Sequence, residues 1–316
     1  MSGEAQALVT VVIAAYRSRP DHLHAAIASA LAQTWSALEV VVSDDTPDDA
    51  LAALVASFGD DRLVYRHNRP ALGVARNHWA CFEAARGEFV VVLNHDDQLE
   101  PTSVWRLALA LKAEPRASLA FADHWVIDAD GLRLQAETDH NSAAWGRATL
   151  AGGLHQPFLD LVARQSIPMA MGAMFRRAAL TVACPPSAGP AYDLWLAYLL
   201  ARDGGGAVYV PERLSAWRTH SSNLTSQGGL DWLLGSATAW EAMAGDPLAA
   251  SVAPLARRHA ARWFYVCARR ADRAGDRQAA RRHAQASWRS RPSWRGLFVL
   301  LASLRQARSP RDGCIT

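Results

Sequence analysis

Two pairs of adjacent aspartates, Asp44-Asp45 and Asp96-Asp97, are the groups in this chain best placed to do chemistry. Two carboxylates about 4 Å apart repel by about 4 kcal/mol at an effective dielectric of about 20, so a cation beside them is an attractive resolution. Hard carboxylate oxygens select Mg²⁺ or Mn²⁺, and such an ion can bridge the phosphates of a nucleotide. Asp96-Asp97 also suits the start of a helix near Pro101, where acids meet the positive end of the helix dipole. Asp44-Asp45 carries a similar choice. It is either an Asx turn into the helix after Pro47-Asp48, or an acceptor for a nucleobase or ribose. Neither pair decides the matter alone.

The elements that must position these acids alternate. Leu8 to Ile13, Leu38 to Ser43, Leu63 to Arg66 and Phe89 to Leu93 are apolar and mostly β-branched, the composition of strands buried on both faces of a parallel sheet. Helical spacing fills residues 21–34, with Asp21 placed to cap the N-terminus after Pro20, then the stretch from Pro47-Asp48 to Phe58 and Gly73 to Ala85. This alternation predicts a doubly wound α/β sheet flanked by helices, whose ligands sit beyond the carboxyl ends of the strands. Both acidic pairs fall on that edge.

Farther along, a helix reaches Lys112, a strand covers Leu119 to Phe121, and a hairpin turns at Ala129-Asp130-Gly131. Residues 135–165 are weakly patterned and read as loop. Strands at Ala170 to Arg176 and Ala207 to Val210 bracket a helix from Asp193 to Arg202. From about Leu230 the pattern is helical throughout. The expectation is therefore two regions, 1–225 with the sheet and 226–316 as an all-helical C-terminal extension.

Composition narrows the class. A net charge of +3 gives no case for nucleic-acid binding. The four cysteines are scattered, without a C-x-x-C pair, which argues against a zinc ribbon and for a reducing compartment. The first residues lack a basic stretch, and the apolar run 296–304 is too short to span a bilayer. The expected location is cytoplasmic. The arginines between Arg257 and Arg295 read first as a solvated helix face, and second as a peripheral contact with anionic lipid at the inner face of a membrane.

Taken in order, the segments VTVVIAAYRSRPDHLHAAIASALAQTW, LEVVVSDDTPDD, GVARNHWACFEAARGEFVVVLNHDDQLEP, MGAMFRRAAL and AYDLWLAYLLARDGGGAVYVPERLSAWRTHSSN are similar to the family 2 glycosyltransferases, from about Val9 to Asn223. The resemblance implies a GT-A fold and inverting sugar transfer from a nucleotide-diphosphate donor to a hydroxyl on a glycan, lipid-linked or small-molecule acceptor, in the building of cell-surface glycans. It implies Asp45 at the nucleoside base with Ala14 and Tyr16, and Arg76 shaping the nucleotide pocket. It implies Asp96 at the donor ribose and metal, Asp97 as metal ligand, Asp193 as catalytic base, and Arg218 and His220 near the diphosphate or metal. A metal would stabilise the leaving phosphate, and a carboxylate would take the proton of the attacking hydroxyl.

Two departures stand out. Asn94 replaces an acid often found two residues before Asp96, and Tyr192 stands where a Glu often precedes the base. Two competing functions remain. A sugar nucleotidyltransferase would carry a Gly-rich loop after the first strand, where this chain has Ala14-Ala15-Tyr16-Arg17. A non-catalytic nucleotide-sugar-binding protein would be expected to lose Asp97 or Asp193, and both are kept.

Overall fold

The computed structural model describes residues 6–221 and 229–292. The chain divides into two compact units, Met1–Ser226 and Gln227–Thr316.

The first unit is built on one mixed sheet. Its strands are β1 (Val9–Ala15), β2 (Leu38–Asp44), β3 (Leu63–His67), β4 (Phe89–Asn94), β5 (Gln98–Leu99), β6 (Ala117–Ile127), β7 (Gly153–His155), β8 (Met171–Arg176) and β9 (Gly206–Arg218). The order is β3-β2-β1-β4-β8-β6-β9-β5, with β7 also beside β9. The β3-β2-β1-β4 half is parallel, and β8 enters antiparallel between β4 and β6. This is the flanked mixed α/β sheet that the resemblance implies.

The valine runs of β1, β2 and β4 are buried on both faces because helices cover both. Helices α1 (Pro20–Leu31) and α4 (Ser103–Ala113) send Leu23, Ile27, Leu107 and Leu111 into the same core as Val11, Ile13, Val40 and Val91. Helix α3 (Val74–Ala84) buries Trp79 and Phe82, the latter edge-on to Phe175 of β8. Between α1 and α3 lies the short α2 (Ala52–Ala56).

Register then fixes the chemistry. Ala14 of β1 lies opposite Ser43 of β2 and Asn94 of β4, so Asp44-Asp45 and Asn94 to Asp97 leave the sheet along one edge.

Four local expectations are corrected. Asp21 does not cap α1; it sits in the first turn and pairs with Arg19 at 2.6 Å. Residues 135–165 are not mainly loop, because they contain α5 (Gln135–Ala144), β7 and α6 (Leu159–Ala163). Helix α5 escapes an apolar-spacing test because its buried side are Thr138 and Ser142. Thr138 satisfies itself on Leu134 O, and Ser142 hydrogen-bonds Asp123, which is in turn paired with Arg147 at 2.7 Å. Strand β9 runs on past Pro211 to Arg218, since β7 pairs with its first half and β5 with its second, leaving Pro211 between them. Helix α7 (Tyr192–Ala201) starts one residue earlier than the spacing predicts.

The second unit contains three helices among the described residues: α8 (Leu230–Gly245), α9 (Ala253–Arg273) and α10 (Arg277–Ser290). Their seams are small. Ala256, Ala260, Ala268, Ala280 and Ala284 are buried, with Trp240 stacked on His259 at 4.5 Å. Asp276 caps α10 by accepting from Ala279 N at 2.9 Å. The arginines Arg257, Arg258, Arg262, Arg281 and Arg282 are exposed. No described helix is long and apolar enough to cross a membrane. The apolar run 296–304 lies outside the described residues.

Candidate active site

The turn after β4 divides its two acids. Asp97 has no exposed surface. One carboxylate oxygen accepts from the backbone N–H of Arg218 at 2.8 Å, the other from the Asn94 side-chain amide at 3.3 Å. Burial, then the neighbouring Asp96 charge, pushes its pKa well up, while those two donors pull it down. The guanidinium of Arg218 is itself buried. It donates to Asp96 O at 2.9 Å and Ala129 O at 3.0 Å, tying the acidic turn to the 128–131 turn. The Asp96 side chain is partly buried, 14% exposed, with one oxygen 3.1 Å from His220 Nε2. The His22 ring lies 5.3 Å from that of His220. Burial, followed by the Arg218 charge, lowers the His22 pKa.

Asp97 faces inward with one donor of its own chain on each carboxylate oxygen, whereas Asp96 is the partly exposed acid of the turn. Arg218 braces the turn through carbonyls. Asp96, Asp97, Arg218 and His220, separated by over a hundred residues in sequence, do meet at one point.

At the neighbouring strand end, Asp44 is fully buried, accepting from Thr46 N and from the Tyr65 hydroxyl, both at 2.8 Å. Asp45 is nearly as buried. It accepts from Asn68 Nδ2 at 2.9 Å, Leu72 N at 3.1 Å and Gly73 N at 2.7 Å. A carboxylate offers about four lone-pair sites, so Asp45 has about one left for a nucleoside. Its visible work is to fold the 68–73 loop onto the edge. Gly73, at φ 83°, supplies the left-handed turn that aims its N–H there.

Asn77, not Arg76, is the inward residue of the Ala-Arg-Asn stretch. Its amide donates to Ala15 O and Ser43 O, both at 3.1 Å, and accepts from Asn68 at 3.0 Å, while Arg76 is exposed on α3. Tyr16 is 49% exposed just past β1, with the Arg17 guanidinium 5.4 Å from its ring centroid. Ala14 lies between two paired strands, which commits its backbone to the sheet and leaves only a methyl group to face a ligand.

Asp193 stands in the first turn of α7, with one carboxylate oxygen 2.8 Å from Leu194 N. Burial raises its pKa, which suits a base that must hold a proton taken from an alcohol. The preceding Tyr192 is buried. Its hydroxyl donates to Asn94 Oδ1 at 2.8 Å, and its ring stacks on His78 at 3.5 Å. Burial drives the His78 pKa down to about 4, so this imidazole is neutral at physiological pH. Asn77, His78 and the Tyr192–Asn94 link were not singled out from sequence as working residues. The signal was present in the odd residues Asn94 and Tyr192, but 98 positions separate them.

Residues 10–179 match the family described as Glycosyl transferase family 2. Over 144 residues the chain is 38% identical to the succinoglycan biosynthesis protein ExoO of Rhizobium meliloti, a stretch covering 45% of this chain and 40% of that protein. Over 97 residues it is 29% identical to the Escherichia coli glucosyltransferase WfaP, covering 31% of this chain and 38% of the relative. The matches thus span about two-fifths of these relatives' length. Among solved structures, S. aureus TarS 1–349 in complex with UDP-GlcNAc superposes with a TM-score of 0.66 at 13% identity, covering 96% of this chain and 93% of TarS. The mannosyltransferase PcManGT from Pyrobaculum calidifontis, in complex with GDP-Man and Mn²⁺, gives 0.59 at 17% identity, covering 96% and 81%. With the family pattern running through more than half the chain and the sheet carrying its acids along one edge, the chain belongs to glycosyl transferase family 2.

Proposed function

We propose that the chain transfers a sugar, with inversion, from a nucleotide-diphosphate donor to an acceptor hydroxyl in cell-surface glycan assembly. One observation carries the reading: Tyr192, which precedes the half-buried Asp193, is hydrogen-bonded to Asn94, and Asn94 to Asp97, so the segment carrying Asp193 is tied to the turn that carries Asp96. Asp193 takes the proton of the attacking hydroxyl, and one base opposite the leaving group gives a single in-line displacement. Tyr16 supports the nucleoside ring, and Asp45 and Asn77 hold the loop and strand ends that shape its pocket.

No three His, Cys, Asp or Glu side chains gather as a metal cage among the described residues. Asp96 with His220 offers one hard oxygen and one nitrogen. That fits a divalent ion drawing its remaining ligands from diphosphate and water, the habit of Mg²⁺ and Mn²⁺ at nucleotides. We assign these two residues, rather than Asp97, to such an ion. When bound it would neutralise the charge developing on the leaving diphosphate. The relatives named for succinoglycan biosynthesis and for a glucosyltransferase acting on a diphosphoundecaprenol-linked sugar support a glycan or lipid-linked acceptor. Such an acceptor would bring the chain to the inner face of a membrane, where the exposed arginines of α9 and α10 would meet anionic head groups.

The test is a melting-temperature screen of UDP-, GDP-, dTDP- and CMP-sugars with and without Mn²⁺. One nucleotide class should raise the melting temperature, and more so with Mn²⁺, because a ligand of the folded state stabilises it. No shift with any nucleotide sugar contradicts the reading.

A further inference from the structure

The two positions at which this chain departs from the family pattern, Asn94 and Tyr192, are bonded to each other. The Tyr192 hydroxyl donates to Asn94 Oδ1 at 2.8 Å, and Asn94 Nδ2 donates onward to Asp97 at 3.3 Å. The amide serves both neighbours, accepting with its oxygen and donating with its nitrogen. A carboxylate at position 94 would accept from the phenol but could not donate to Asp97, and would add a third negative charge beside Asp96 and Asp97. Tyr192 is held from its other side as well. Its ring lies on His78 with the planes 19° apart, and the Nδ1 of His78 is fixed 2.8 Å from Val74 O. Burial, then the charges of Asp193, Asp97 and Asp96, holds the phenol protonated, so its hydroxyl stays a donor.

Tyr192 is the first residue of α7, and Asp193 is the next. The Asp193 carboxylate is held by the backbone of its own turn, one oxygen accepting from Leu194 N at 2.8 Å. What locates it relative to the acidic turn is therefore the anchoring of α7 itself. We propose that Tyr192 is a positioning residue for sugar transfer: its hydrogen bond to Asn94 locks the start of α7 to the Asn94–Asp97 turn and so sets the distance from Asp193 to the bound donor. Asn94 is the matching half of the device, a neutral link in place of the acids that family members often carry. The proposal rests on Asp193 acting as base. Small displacements of a base cost turnover far more than donor affinity, because alignment matters most in the transition state.

The experiment measures release of nucleoside diphosphate by the full chain with the nucleotide sugar that binds it. Tyr192→Phe removes one oxygen and keeps the ring on His78. It should lower kcat about tenfold, equivalent to about 1.4 kcal/mol, with the donor KM within about twofold of the parent. Asn94→Ala should do the same. The double variant should lose no more than the worse single one, since the two act as one link. If Tyr192→Phe does not fold, Asn94→Ala alone is read in the same way. An unchanged kcat, losses that multiply in the double variant, or a rise in donor KM matching the loss in kcat overturns the proposal. A parent protein that binds no nucleotide sugar defeats the proposed function instead, and a parent that turns over normally while Tyr192→Phe is silent defeats the positioning role alone.

Discussion

The two acidic pairs look alike in sequence and do different work. At the end of β2, both acids are buried and engaged by the chain: Asp44 holds Thr46 and Tyr65, and Asp45 holds Asn68, Leu72 and Gly73. After β4 the pair is split. Asp97 is buried between Arg218 N–H and the Asn94 amide, while Asp96 stays at the edge beside His220. An acid pair at a strand end is thus read by counting the chain donors each carboxylate already satisfies. On the proposed reading, Asp96 is the acid that would face a donor sugar, and the others build the edge that presents it.

The largest expected effect lies outside both pairs. Asp193→Asn should cut kcat by about 10²- to 10⁴-fold while leaving nucleotide binding intact, the range for losing a general base. Burial raises the Asp193 pKa, and the base must be ionised, so kcat of the parent falls as pH drops through a value above the usual carboxylate range near about 4. For stability the sign is opposite. A raised carboxylate pKa favours the folded state when protonated, a contribution present at low pH and lost as pH rises through the folded pKa. The same Asn variant should therefore melt no lower than the parent at neutral pH. A lower melting temperature with retained turnover would sink the assignment.

The contrast between the pairs sharpens at smaller scale. Asp97→Ala strands two buried donors and should cost about 3 kcal/mol in urea unfolding. Asp45→Ala, whose partners lie on a loop that water can reach, should cost about 2 kcal/mol. Equal destabilisation by Asp96→Ala would erase the distinction drawn here.

The β-branched runs made the parallel half of the sheet legible, and with it the edge where both acidic pairs emerge. What escaped was whatever depends on a distant partner. The burial of Asp97 is set by the backbone of Arg218, 121 residues on, and nothing beside Asp97 signals it. Helix α5 was hidden because hydroxyls, not apolar side chains, form its buried face. The far half of β9 was hidden by Pro211, which local rules read as a break. Arg76 and Asn77 show the same limit. Adjacent on one helix, they differ only in which side of α3 meets the strand ends.

The most direct measurement is the Mn²⁺-dependent affinity for the nucleoside diphosphate of the donor, in the parent and in Asp96→Ala. The account predicts that Mn²⁺ tightens binding to the parent by about tenfold or more, about 1.4 kcal/mol, and leaves the folded variant unaffected. An Asp96→Ala protein that keeps the full Mn²⁺ effect would contradict it.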